Sequence, residues 1–270
     1  MNQRTRLGVF GGIGGVIGSL GSELPVLDFV SETAVLSSAV WFAIVSASIA
    51  FFLRCATAKN CAHRIPSARQ SVGAILLGGI AGAASGVAAQ LLYNQFDDGV
   101  FKNYVGRALC WGVGGGLLGI LLAFGIPNLR RWRGGVFGFL GGALGGAAFI
   151  GVAGFIDLNE ELARVTGVGT TGALIGLAIA AADAIELRGR AYIKVVYSAK
   201  ESVCIALGTS PISFGGSPAD TIYVKGMAAN SLVISEKSGK VFARQQGAGD
   251  IAVDVGSKLR IATYTINVFR

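Results

Sequence analysis

The chain has few charged residues. Asp, Glu, Lys and Arg make up only 14% of its 270 residues, whereas an average soluble domain carries about 25%. So little charge leaves most of the surface apolar, and the mean hydropathy is high, at +0.62. The composition therefore predicts an integral membrane protein rather than a soluble one.

Other rare residue types and missing motifs exclude further classes of protein. Histidine occurs once, at His63, so any catalysis that uses a histidine base would depend on this one residue. Proline occurs five times, too rarely for low-complexity disorder. We find no Walker-type loop, no nucleophile–base pair and no carboxylate pair placed for acid–base catalysis. The sequence predicts no enzyme and no cofactor.

The cysteines show no disulfide framework, which favours a reduced compartment or buried thiols. They are Cys55, Cys61, Cys110 and Cys204. Cys55, Cys61 and His63 lie within nine residues and invite a metal interpretation. Structural zinc sites use closely spaced pairs and a fourth ligand, so we predict no metal.

Six apolar segments are present, and a spanning helix needs about 20 residues. They are Leu7–Leu20, Ala34–Leu53, Ser71–Tyr93, Val105–Ile126, Gly134–Ile156 and Gly167–Ile185. The first is short, and Glu23 and Pro25 interrupt any extension of it, so we expect it to be re-entrant or to span a locally thinned membrane. It follows Arg4 and Arg6 as in a signal peptide, but no small-x-small cleavage site follows, so we expect a retained helix.

Charges alternate between the loops. The basic groups are Arg4 and Arg6, Arg54 to Arg69, Arg130 to Arg133, and Arg188 with Arg190. The other loops are acidic, around Asp28, Asp97 and Asp157. By the positive-inside rule the basic side is cytoplasmic, which predicts a multi-pass protein of the inner cell membrane with both termini inside.

An internal repeat accompanies this pattern. Gly14-Gly15-x-x-Gly18 returns as Gly78-Gly79-x-x-Gly82 and as Gly141-Gly142-x-x-Gly145, and Arg6-Leu-Gly-Val-Phe-Gly11 is echoed by Arg133-Gly-Gly-Val-Phe-Gly138. Each unit corresponds to two apolar segments. Residues 1–188 are therefore predicted to form three helical hairpin repeats.

Small residues recur at four-residue spacing, which lets helix backbones approach closely in lipid. The predicted helix-packing residues are Gly14, Gly18, Gly78, Gly82, Gly86, Gly112, Gly116, Gly134, Gly138, Gly142, Gly146, Gly172 and Gly176. They either pack hairpins within one chain or also build a homo-oligomer. A dinucleotide fingerprint at Gly11–Gly18 is rejected, because no strand precedes it and no acidic residue follows at the required distance.

Basic residues beside the apolar runs predict contacts with anionic lipid headgroups and argue against nucleic-acid binding. The headgroup candidates are Arg130, Arg131, Arg133, Arg188 and Arg190. Asp183 is the one acidic residue inside an apolar segment. It lies in the last turn, where we expect a solvated cap rather than a proton relay.

The sequence pattern changes over residues 189–270. Short runs of β-branched and aromatic residues alternate there with turns rich in Gly, Pro and Ser. The predicted strands are Tyr192–Tyr197, Val203–Leu207, Ile212–Phe214, Thr221–Val224, Leu232–Ser235, Val241–Arg244, Ile251–Val255, Leu259–Thr263 and Thr265–Phe269. Short strands at this spacing are typical of a small β-sandwich or barrel.

This region resembles a forkhead-associated (FHA) domain, a β-sandwich that reads phosphothreonine, in Ile205–Gly208, Ile212–Ile222 and Val255–Thr263. Where that family has Gly-Arg, this chain has Gly215-Gly216, and Ala228 and Ser231 replace its Ser-x-x-His. The resemblance implies an FHA-like fold without the phosphate-binding groups. The whole chain resembles bacterial glycine-zipper membrane proteins fused to such a domain.

The leading hypothesis is a membrane scaffold or adaptor, without catalytic activity. Its helices pack or oligomerise, its arginines contact membrane lipids, and its β-domain docks a cytoplasmic protein. The alternative is a channel, transporter or pore-forming protein gated by the C-terminal domain. Few polar groups are available to line a pore, which argues against the alternative.

Overall fold

The computed structural model describes residues 3–22, 33–62, 65–95, 99, 105–155, 160–198 and 201–270. Within these ranges the chain forms six α-helices and then nine β-strands. The helices are α1 (Gln3–Ser22), α2 (Ala34–Ala62), α3 (Ala68–Tyr93), α4 (Arg107–Ala123), α5 (Arg131–Phe155) and α6 (Glu160–Arg188). Each predicted apolar segment overlaps one of them. The acidic loop residues Asp28, Asp97 and Asp157 lie outside the described residues.

Three helical stretches are long and apolar enough to cross a membrane, judged by length and composition within the described ranges. They are Ala34–Cys61, Ala68–Tyr93 and Glu161–Arg188. Helix α4 is apolar but shorter. Local signals fix some of the ends: at the start of α3, the Ser67 hydroxyl accepts from the Gln70 amide while the Gln70 side chain accepts from the Ser67 amide, a capping box.

The helices are arranged as a ring. Each packs against the helices next to it in sequence, and α6 closes the ring by packing against α1. An apolar cluster is buried among them, with residues from α1, α2, α4 and α6 such as Leu7, Ile49, Leu118 and Ile175. The ring interior is therefore filled with side chains at these positions.

The C-terminal region forms two sheets. Its strands are β1 (Tyr192–Ser198), β2 (Glu201–Ala206), β3 (Ile212–Gly215), β4 (Ile222–Tyr223), β5 (Leu232–Lys237), β6 (Lys240–Gln245), β7 (Ile251–Val253), β8 (Lys258–Ile261) and β9 (Tyr264–Phe269). One sheet has the order β2-β1-β9-β8 and the other β4-β3-β5-β6-β7. Pairing is antiparallel except between β3 and β4, which are parallel.

A single hydrophobic core lies between the two sheets. Ile193 of β1 and Ile266 of β9 contribute from one sheet, and Phe214 of β3 and Ile234 of β5 from the other; all four are fully buried. Buried and half-buried residues alternate along β1 and β5, as expected for strands with one face inward. The prediction of a C-terminal β-domain is confirmed.

Candidate functional site: the joint between helices and β-domain

A buried carboxylate lies where the β-domain meets the helices. The side chain of Glu186, in the last turn of α6, is only 1% exposed. Arg133 Nη1 lies 3.2 Å and Arg190 Nε 3.5 Å from its Oε2, while Arg130 Nε lies 3.9 Å from its Oε1. The backbone amide of Arg130 also donates to Oε1, at 3.3 Å. These contacts join the start of α5, the end of α6 and the link to β1 in one cluster.

A second contact pins the loop between α4 and α5 to the β-domain. Asn128 adopts a left-handed backbone conformation, with φ of 58°. Its side-chain amide donates to the Ala206 and Ser210 carbonyl oxygens, at 2.9 and 3.1 Å, and its oxygen accepts from the Ser210 amide. Gly208 lies close beside it, because a Cβ there would lie 2.9 Å from the Arg190 guanidinium and 3.0 Å from Asn128 Oδ1.

A third contact joins α1 and α2 to β1 and β2. The Arg6 guanidinium donates to Asn60 Oδ1 at 2.8 Å and to Glu201 Oε1 at 3.1 Å. The Tyr197 hydroxyl donates to the Cys61 carbonyl oxygen at 2.9 Å. Burial, reinforced by neighbouring groups, raises the pKa of Tyr197 well above its usual range, so this hydroxyl keeps its proton.

Asp183 lies within the same interface, and the prediction that it is a solvated cap is wrong. The residue is 5% exposed and accepts a hydrogen bond from Gln3 Nε2 at 2.8 Å. The β-domain covers this end of α6, which the helix pattern alone does not reveal. The carboxylate therefore belongs to the joint.

The predicted headgroup arginines fall into two sets. One set contacts the carboxylate of Glu186 through its guanidinium groups, and it consists of Arg130, Arg133 and Arg190. Arg131 and Arg188 are exposed, and the Arg131 guanidinium lies 4.1 Å from the centre of the Phe124 ring. A role in lipid contact stays a prediction for all five.

All thirteen glycines predicted to pack helices contact a neighbouring helix of the same chain. In the seam between α4 and α5, a Cβ built at Gly138 or Gly142 would collide with the carbonyl oxygens of Gly115 or Trp111. In the seam between α6 and α1, one built at Gly172 would collide with Gly11. These faces are therefore occupied within one chain.

The first and third repeats pack alike. In α1, Gly11 faces the preceding helix around the ring, α6, and a Cβ at Gly14 would lie 2.8 Å from Ile49 Cα of the following helix. In α5, Gly138 faces α4, and a Cβ at Gly141 would lie 2.9 Å from Ile175 Cα of α6. In both repeats, glycines three residues apart therefore pack against the two helices on opposite sides.

The middle repeat differs. Gly78 and Gly82, aligned by motif with Gly14 and Gly18, face the preceding helix α2 and not the following helix α4. Three residues further along, the α4 side of α3 carries Ala81 and Ser85 in place of glycine. The motif alignment therefore does not match the packing in this repeat.

The backbone at Gly216, where the predicted FHA resemblance would require arginine, is tightly enclosed. A Cβ at Gly216 would collide with the Met227 carbonyl oxygen, and one at Gly215 would lie 2.5 Å from Asp220 Oδ2. Asp220 is buried and accepts from the Ser217 and Asn230 amides, at 2.9 and 3.1 Å. An arginine at position 216 therefore requires the backbone to move.

The described residues contain no cluster of three or more His, Cys, Asp or Glu side chains suited to a metal ion. His63 lies outside them, and Cys61 packs against the core of the β-domain. No protein-family model, curated protein or solved structure matches the chain.

Proposed function

We propose that the protein is a multi-pass membrane scaffold or adaptor without catalytic activity, which holds its β-domain on the cytoplasmic face of the inner membrane. The carrying observation is the joint around Glu186, where three arginines from two chain segments converge on one buried carboxylate. Ion pairs on a buried carboxylate are weak evidence for added stability, and we infer that these fix the orientation of the β-domain. Such a joint suits a protein whose role is to present a domain in a fixed orientation.

Six crossings and cytoplasmic termini belong to the proposal. Three helices have the length and apolarity of spans, and the basic groups alternate with acidic ones along the chain. In cells with native cysteines replaced, an impermeant maleimide should label Gly99→Cys from outside. It should label Lys240→Cys only after permeabilisation. The reverse pattern would overturn this topology.

The β-domain is proposed to be FHA-like and to bind a protein without reading phosphothreonine. Its two-sheet sandwich supports the first part, and the enclosed backbone at Gly216 supports the second. A phosphothreonine peptide library bound by the full chain would contradict this part of the proposal.

Docking of a cytoplasmic protein is tested by photo-crosslinking in cells. A crosslinker at Arg244, exposed on the outer face of the sheet, should yield discrete protein adducts. The matched control places it at Leu76 of α3, which is 59% exposed on the proposed lipid-facing side of the helix, where lipid adducts are expected. Adducts at neither position, or lipid adducts at both, would contradict an adaptor role.

A homo-oligomer also belongs to the proposal, but it must use surfaces other than the thirteen glycines, since these face neighbouring helices. The mass of the protein in nanodiscs tests it, and a strict monomer at high concentration removes it. For the alternative, a channel or pore, the apolar residues buried within the ring offer no support.

A further inference from the structure

We propose that the seam between α3 and α4 binds one anionic glycerophospholipid of the cytoplasmic leaflet. Among the described residues, every other seam of the ring has a glycine against the backbone of the next helix. Between α3 and α4 the nearest such approach is to a side chain, since a Cβ built at Gly114 would lie 3.6 Å from Ser85 Cβ. With side chains between the helices, this seam is left wider than the rest.

The wider seam contains two adjoining cavities. One, of about 230 Å³, is lined mainly by apolar residues, among them Gly73, Leu77 and Leu121. The other, of about 280 Å³, is more polar and lies against the β3–β4 loop at Asp220 and Thr221. Together they reach the size of small-molecule sites, about 300–1,000 Å³.

The two cavities form one cleft, because they share a set of lining residues. These are Arg54, Thr57, Gln70, Phe124 and Gly125. Leu77 and Phe124 are 52% and 63% exposed, so the cleft is open at the outer surface of the helices. A ligand can therefore enter sideways from the bilayer.

The positively charged side chains near the cleft indicate an anionic headgroup for the ligand. The Arg54 guanidinium lies at the junction of the two cavities and donates to the Gly125 carbonyl oxygen at 3.1 Å. A second guanidinium, of Arg131, lies over the Phe124 ring. The Asp220 carboxylate at the polar end accepts from backbone amides. Guanidinium groups bind phosphate with directed hydrogen bonds, so an apolar tail joined to a phosphate head fits the cleft.

The test is native mass spectrometry of the full chain in micelles with equal amounts of phosphatidylglycerol and phosphatidylcholine. We expect one retained phosphatidylglycerol. Gly73→Leu should abolish retention, because Gly73 lines the apolar cavity and a Cβ there meets no atom within 4 Å, which leaves room for the added side chain to occupy the cavity. Gly151→Leu is the matched control, since its Cβ also meets open space, and it should retain the lipid.

The head is tested separately. Arg54→Gln should weaken phosphatidylglycerol binding by about tenfold or more, the loss expected for a charged hydrogen bond, whereas Arg54→Lys should keep the preference for the anionic lipid. Equal retention of phosphatidylcholine, retention by Gly73→Leu, or displacement by glycerol phosphate alone would overturn the proposal. A protein or peptide found in the cleft in place of lipid would overturn it too.

This inference rests on the proposed membrane location. The two fail differently, because a wrong topology appears in the maleimide labelling, while a wrong lipid site leaves that labelling unchanged. If Arg54→Gln does not fold, the Gly73 and Gly151 pair still decides.

Discussion

The helical region and the β-domain are held together by opposite kinds of contact. Between α4 and α5, Gly115 and Gly119 meet Gly138 and Gly134, so backbone packs on backbone. In the β-domain, fully buried side chains such as Phe214 fill the space between two sheets. The seams between helices thus depend on glycines that let backbones approach, in addition to the side chains buried within the ring, whereas the β-domain depends on side-chain packing alone.

On the proposed membrane location, the difference follows from the solvent around each region. Lipid tails are as apolar as leucine, so side-chain burial gives helices little reason to associate, and close backbone contact supplies dispersion instead. In water, the β-domain gains about 25 cal/mol for each Å² of apolar surface that it buries. The helical region should therefore be damaged by added atoms and the β-domain by removed ones.

The largest effect is expected from adding atoms between helices. Gly138→Leu places a side chain against the Gly115 carbonyl, where both partners are backbone and cannot rotate away. We expect the largest loss of stability in the series, because α4 and α5 must separate, seen as aggregation on size exclusion and early melting in detergent. Gly151→Leu, a substitution in the same helix at a site with open space, should behave like wild type. Equal damage from both would show that any leucine harms α5.

Removing atoms from the β-domain should have the next largest effect. Phe214→Ala leaves a cavity in the core and should cost about 3–5 kcal/mol, measured as a lower midpoint of chemical unfolding for the β-domain. Phe242 of β6 is half-buried on the outer side, so Phe242→Ala should cost clearly less. A larger loss at Phe242 would contradict the placement of the core.

The joint between the regions can be broken without changing either interior. Glu186→Gln removes the charge that faces Arg133 and Arg190, whose side chains remain 22% and 23% exposed to solvent, so we expect a loss of about 1.5–3 kcal/mol, that of a hydrogen bond to a charged group. We expect faster hydrogen exchange around Arg190 and cleavage there by trypsin, with both regions still folded. The exposed Asp254→Asn serves as control. Unchanged exchange would mean that Asn128 and Arg6 suffice to hold the joint.

Much of this architecture could be predicted from the sequence. The nine predicted strands each overlap an observed one, because β-branched runs and Gly or Pro turns are local signals. The hydrophobic runs located the helices for the same reason, although α1 extends beyond Leu7–Leu20 to Gln3–Ser22. Local chemistry determines these elements, so no tertiary information was needed to find them.

The joint and the cleft could not be predicted in this way. Glu186 and Arg130 are 56 residues apart, and nothing near Glu186 in sequence shows that the β-domain covers it. Likewise, the motif at Gly78 matches the one at Gly14 by spacing, yet it faces the other neighbour. Which side of a helix meets which neighbour depends on the closed ring, which no single segment encodes. A glutamate among arginines at the end of an apolar helix was the one available hint.

The smallest effect is expected at the surface of the β-domain, where neither kind of packing operates. Lys237 Nζ lies 2.6 Å from Asp250 Oδ2, and this hydrogen bond lowers the pKa of Asp250 below its usual value. A lowered pKa stabilises the fold above the aspartate's usual pKa, and that contribution is lost as pH falls through the lowered value. Lys237→Met should therefore reduce the melting midpoint slightly at neutral pH, and the difference should vanish in acid. Because the pair is exposed, added salt should also shrink the difference. A difference that grows in acid would mean that the lysine acts through a group other than Asp250.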